Sequence, residues 1–144
     1  DLEVGMADGY GKTVTDADIV AFAGVSGDTN PVHLNEEFAK ETLFKGRIAH
    51  GMLAASFLST VLGTRLPGPG AIYMGQTLNF RAPVKVGDTV VARVVITDVD
   101  RDKRRIKVET TCKVGETVVV DGEAKLMVNS RAQIAASETT QAAE

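Results

Sequence analysis

Ile48-Ala49-His50-Gly51-Met52-Leu53-Ala54-Ala55-Ser56-Phe57-Leu58-Ser59-Thr60-Val61-Leu62-Gly63-Thr64 contains no Asp, Glu, Lys or Arg. Pro67-Gly68-Pro69-Gly70 follows shortly after, and no helix continues through it. Met52, Leu53, Ala54, Phe57, Leu58, Val61 and Leu62 cover nearly all faces of a helix drawn from Gly51 to Leu66. Such a helix has to be enclosed by other structure. The uncharged run of 17 residues falls short of the roughly 20 apolar residues that span a bilayer, and His50, Ser56, Ser59 and Thr60 interrupt it. A buried central helix is the expectation.

Working outward, everything after the Pro-Gly pair reads as sheet. Strands are expected at Ile72 to Phe80, Thr89 to Asp98, Arg104 to Val114 and Thr117 to Val128. In the third, Ile106, Val108, Thr110 and Cys112 alternate with Arg105, Lys107, Glu109 and Thr111, so one face is buried. Val86-Gly87-Asp88 and Val114-Gly115-Glu116 read as hairpin turns. Upstream, a strand is expected near Gly9 to Val14. Thr15 caps a helix with Asp16 and Asp18 in its first turn and Gly27 at its end. Asp28-Thr29-Asn30-Pro31 is a turn, because a residue before proline is pushed out of the helical region. A short helix over Glu36 to Glu41 has Asn35 as its cap.

The order is strand, helices, antiparallel meander. That predicts an α+β fold in which the sheet curls around the central helix, the hot-dog architecture. One domain is expected over residues 1–130, with 131–144, rich in Ala, Ser, Thr and Gln, as a frayed tail. A sheet with one covered face also leaves surface for pairing with a second copy. Net charge of -3 gives no general pull toward nucleic acid or anionic membrane. Cys112, the one cysteine, cannot form an internal disulfide. Residues 1–8 lack the basic start and apolar run of a secretory leader, so the cytoplasm is the expected compartment.

Only two histidines occur, His33 and His50, and both lie beside unusual local sequence. On a continuous helix Asp28 and His33 would point about 140° apart. Pro31 breaks that helix, so a turn can bring carboxylate and imidazole to one cavity, where together they can hold a water and move protons. The plain alternative is a turn stabilised by Asp and Asn. His50-Gly51 opens the central helix, where free amides and the helix dipole favour an oxyanion; a tolerated glycine at a helix entry is the alternative. His33, His50 and Asp28 also have the composition of a facial metal triad, but no pair shows i,i+3 or i,i+4 spacing, so no metal is expected. No G-x-S-x-G elbow is present for a nucleophilic serine. The basic run Arg101 to Lys107 is a charged hairpin, or a phosphate anchor through Arg104 or Arg105. Cys112, on an apolar face, is expected to be buried and inert.

Phe22-Ala23-Gly24-Val25-Ser26-Gly27-Asp28-Thr29-Asn30-Pro31-Val32-His33 resembles the hydratase 2 motif of the MaoC-like (R)-specific enoyl-CoA hydratases, above all the short members linked to polyhydroxyalkanoate synthesis. The resemblance continues through Ile48-Ala49-His50-Gly51-Met52, Tyr73-Met74-Gly75-Gln76 and Pro83-Val84-Lys85-Val86-Gly87-Asp88. It implies a homodimer of hot-dog subunits that hydrates trans-2-enoyl-CoA to (R)-3-hydroxyacyl-CoA. Asp28 and His33 would be the catalytic pair, Gly51 the backbone oxyanion donor and Ser59 a nearby active-site serine. Asn30 would hold the loop in shape. No cofactor is implied beyond the coenzyme A of the substrate, whose phosphate Arg104 or Arg105 would contact.

Two other readings share the ligand. A hot-dog thioesterase would carry a carboxylate on the enclosed helix, and none lies between Ile48 and Thr64. A non-catalytic acyl-CoA sensor would be expected to lack Asp28 or His33. Acyl-chain length is expected to be gauged by Leu53, Leu62 and Leu66 on or ending the central helix, with simple core packing as the alternative.

Overall fold

The structure is a computed structural model that describes residues 1–129 and 138–140. The tail expected from residue 131 therefore lies outside the described residues, apart from 138–140, which are helical. Strand β1 (Ala7–Thr13) leads into α1 (Asp16–Ser26), two short helices α2 (Pro31–Leu34) and α3 (Glu36–Lys40), and the central helix α4 (Gly51–Thr64). Strands β2 (Ile72–Gln76), β3 (Asn79–Phe80), β4 (Thr89–Asp100), β5 (Arg105–Val114) and β6 (Thr117–Met127) follow. All pairings are antiparallel, in the order β1-β4-β5-β6-β2, with β3 also on β6.

The sheet encloses α4 as the lack of charge requires. Leu53, Ala54, Phe57, Leu58, Val61 and Leu62 are buried on the helix. They share one core with Val90, Ala92, Val94 and Ile96 of β4 and with Ile106, Val108 and Cys112 of β5. Each large side chain buried there contributes roughly 1.5–3 kcal/mol. Thr110, on the same inward face, is fully buried but satisfied by the Gln76 amide at 2.9 Å. No helix among the described residues is long and apolar enough to cross a membrane.

Four expectations need correction. Ile72 to Phe80 is two strands, because the chain bulges between Tyr73 and Gly75 and then crosses β6 at Gly122. A Cβ on Gly122 would overlap the Thr77 carbonyl, so only glycine allows that crossing. Arg104 sits at φ 55°, in the turn, and β5 starts one residue later. Gly87, at φ 93°, makes a turn before β4, but not a hairpin, since β3 pairs with β6 instead. Finally, Pro31–Leu34 closes into a helical turn of its own, with proline at the first position, where a missing N–H costs nothing.

Candidate active site

Gly27, left-handed at φ 79°, ends α1 and turns the chain toward α4. The next residues are fixed by a run of short-range bonds. The Ser26 hydroxyl donates to the Phe22 carbonyl at 2.7 Å and accepts the Asp28 N–H at 3.1 Å. The Asp28 carboxylate accepts the Asn30 N–H at 3.2 Å, and the Asn30 side chain accepts the Val32 N–H at 3.1 Å as the cap of α2. Asn30 is thus bonded on both sides within the loop, through its N–H and its side-chain oxygen.

His33 projects from α2 and is 8% exposed. Its Nδ1 lies 2.8 Å from the Ile48 carbonyl oxygen, which only accepts, so Nδ1 carries the proton and Nε2 is the nitrogen left for chemistry. A brace runs alongside. The Ile48 N–H donates to the Val32 carbonyl at 3.2 Å, and Arg47 Nε donates to the His33 carbonyl at 2.6 Å. The same guanidinium pairs with Asp16 at the start of α1, at 2.6 Å. Nothing in the sequence marks Arg47 for this task; only the tertiary fold brings α1, α2 and the approach to α4 together.

His50, 2% exposed, stacks on His33 with ring centroids 3.9 Å apart and planes 30° apart. One ligand-type atom from each of Asp28, His33 and His50 falls within 4.8 Å of the others. Three separate elements converge these donors although no pair has the i,i+3 or i,i+4 spacing of a local metal motif. Stacked rings, however, hold their in-plane lone pairs in two separate, near-parallel planes, whereas a tetrahedral metal needs them to meet at one point about 2.0–2.1 Å from each nitrogen.

Asp28, His33, Gly51, Phe80 and Val84 line an open cavity of about 530 Å³. The wall is largely apolar, with Leu43, Met52 and Phe80 exposed at its rim. Gly51 is the first residue of α4, and its N–H and that of Met52 have no acceptor among the described residues. His50, at the cap position, makes no side-chain bond to the helix. The positive end of α4 therefore opens onto the same cavity as the carboxylate and the imidazole. A Cβ on Gly51 would come within 2.6 Å of the Phe80 ring.

Other expected residues lie elsewhere. Ser59 is exposed two turns farther along α4 and does not line this cavity. Arg104 and Arg105 line a second cavity of about 500 Å³, with Arg101 and Pro67, at the opposite end of α4. Leu53 and Leu62 sit in the core and Leu66 packs against it; none of the three lines the cavity at Asp28. Cys112 is fully buried, and burial pushes its thiol up to about 12, so it is inert as expected.

A curved antiparallel sheet around one uncharged helix makes this a hot-dog domain, with a carboxylate–imidazole cavity at the open N-terminus of that helix. Residues 6–119 match the family described as MaoC like domain, and the chain belongs to it. It is 53% identical over 131 residues to the (R)-specific enoyl-CoA hydratase of Rhodospirillum rubrum, covering 91% of each chain. It is 52% identical over 128 residues to the 3-hydroxybutyryl-CoA dehydratase of Methylorubrum extorquens, covering 89% of this chain and 82% of that one. Among solved structures, the (R)-hydratase from A. caviae involved in PHA biosynthesis superposes with a TM-score of 0.86 at 43% identity, over 89% of this chain and 98% of that one.

Proposed function

We propose that this protein adds water across the double bond of trans-2-enoyl-CoA thioesters to give (R)-3-hydroxyacyl-CoA, and that Asp28 and His33 activate the water. The observation that carries this reading is the meeting of Asp28 and His33 with the open N-terminus of α4 in one largely apolar cavity. The names of the similar hydratases and dehydratase support the same reaction class, since dehydration is hydration run backwards.

In the proposed step, water sits between the Asp28 carboxylate and His33 Nε2. Asp28 takes one proton as the oxygen bonds to C3. The double-bond electrons move onto the thioester oxygen, which accepts the Gly51 N–H at the positive end of α4. The proton taken up by Asp28 is then relayed through His33 Nε2 to C2 as the thioester carbonyl re-forms, which returns both side chains to their starting states. Nothing is oxidised or reduced, so the reaction takes no redox cofactor, and coenzyme A arrives as part of the substrate. Arg104 or Arg105 is proposed to meet a coenzyme A phosphate. A homodimer in the cytoplasm is proposed as the working form.

The test is loss of enoyl-thioester absorbance with crotonyl-CoA and longer homologues, with chiral analysis of the product. Asp28→Asn and His33→Gln are each expected to lower kcat by about two to four orders of magnitude, the usual scale of general acid–base help. Near-normal turnover by either folded variant rejects the pair.

A further inference from the structure

We infer that His50 is a positioning residue that sets both members of the Asp28–His33 pair from behind while leaving the N-terminus of α4 uncapped. The inference rests on the proposed role of that pair, and the test below separates the two.

His50 touches both members. Its Nε2 lies 2.9 Å from the Asp28 backbone carbonyl, and its ring stacks on His33 at 3.9 Å. Phe22, from α1, closes the other approach at 4.8 Å and 52°. The carbonyl oxygen only accepts, so Nε2 carries the proton. Nδ1 is buried with no partner among the described residues. The ring is therefore held as the Nε2–H tautomer. The ionisable side chains gathered at it are Asp28 and His33, while Arg47 reaches only the far side of His33 through its carbonyl.

The position of His50 makes this placement informative. A helix cap favours Ser, Thr, Asp or Asn, whose side chains bond back to the first free N–H groups. His50 makes no such bond, and its ring turns away to the 28–33 loop instead. One side chain thus has two consequences. The amide of Gly51 stays open for a ligand oxygen, and the peptide of Asp28 is tied to the helix that carries that amide. This 2.9 Å link ties the peptide of the proposed base directly to the residue that precedes the proposed oxyanion donor.

The test compares His50→Phe, which keeps a stacked ring but removes the donor, with His50→Gln, whose amide can reach the position of Nε2. In crotonyl-CoA hydration, His50→Phe is expected to lower kcat about 10- to 100-fold, the scale of a misplacement near 1 Å, with KM within about threefold. His50→Gln should recover part of that loss. Nitrogen-15 NMR of the unsubstituted full chain should show His50 as the Nε2–H tautomer and needs no variant to fold. Wild-type kcat in both variants, equal losses in both, a loss confined to KM, or an Nδ1–H tautomer overturns the inference. If Asp28→Asn and His33→Gln lose activity while both His50 variants keep wild-type kcat, the inference fails alone. If the first two remain active, the pair itself is wrong.

Discussion

Asp28 and His33 are separated by a proline that ends any shared helix; that allowed a common cavity but left an ordinary turn equally open, and the resemblance to the hydratase motif singled out the pair. The structure adds what the sequence could not hold, the carbonyl that each imidazole meets. Ile48 fixes the tautomer of His33 and Asp28 that of His50, and both contacts join segments far apart in the chain. In the proposed mechanism Asp28 and His33 act on one water, so the double variant Asp28→Asn/His33→Gln should lose far less than the product of the single losses, measured as kcat on crotonyl-CoA. Gly51 offers a sharper steric test. A methyl group there would meet the Phe80 ring at 2.6 Å and would also narrow the approach to the amide. Gly51→Ala is expected to reduce kcat/KM on the order of tenfold, the cost of displacing substrate from its reacting position. Adding Phe80→Ala relieves only the first effect. A full recovery in the double variant would show that collision with the ring, not the amide, is at stake.

At the scale of elements, α1 and α4 were readable because their caps and composition are local. Thr15, Asp18 and Gly27 bound α1 as expected, with the capping box complete in both directions. The short helix α2 was not foreseen beyond the turn read over Asp28 to Pro31, since four residues carry no periodicity to recognise. The split between β2 and β3 was hidden for a similar reason: it follows from the contact between Thr77 and Gly122, which only the pairing with β6 creates. The cap of α1 gives a pH prediction. A hydrogen bond from Lys12, helped by the Thr15 N–H, holds the Asp18 carboxyl below the usual carboxylate range. A lowered folded-state value means that this stabilisation is fully present above the unfolded-state value of about 3.9 and is lost as pH falls through the folded one. Asp18→Asn should therefore cost at most about 1 kcal/mol at pH 7 for a partly exposed pair. Urea unfolding of both proteins at pH 7 and pH 3 checks it: the difference should shrink at the lower pH, and a constant difference would place the effect in packing.

At the scale of the whole molecule, the enclosing sheet was foreseeable from one uncharged helix, but the distribution of sites around it was not. The two cavities open at opposite ends of α4, which rises about 1.5 Å per residue over its 14 residues. A phosphate role for Arg104 and Arg105 thus has to act far from Asp28. Arg104→Ala and Arg105→Ala are expected to raise KM for crotonyl-CoA and steepen its salt dependence with little change in kcat; unchanged KM at low ionic strength would return them to a solvated turn. The sheet itself ends at β1 and β2 among the described residues. On β2, Ile72, Tyr73 and Met74 are 53%, 40% and 47% exposed, so neither face of this edge is covered. An apolar edge with unpaired backbone groups is a template for another strand, and a second copy supplies one by two-fold symmetry. The proposed homodimer should therefore pair or pack along β2. Met74→Lys puts a charge, the common natural guard of a free edge, into that contact without touching the core. Light scattering after size exclusion should give twice the chain mass for the unsubstituted protein and a shift toward the single-chain mass for Met74→Lys. A dimer untouched by Met74→Lys would move the interface to another face, and a monomeric unsubstituted protein would reject the dimer outright.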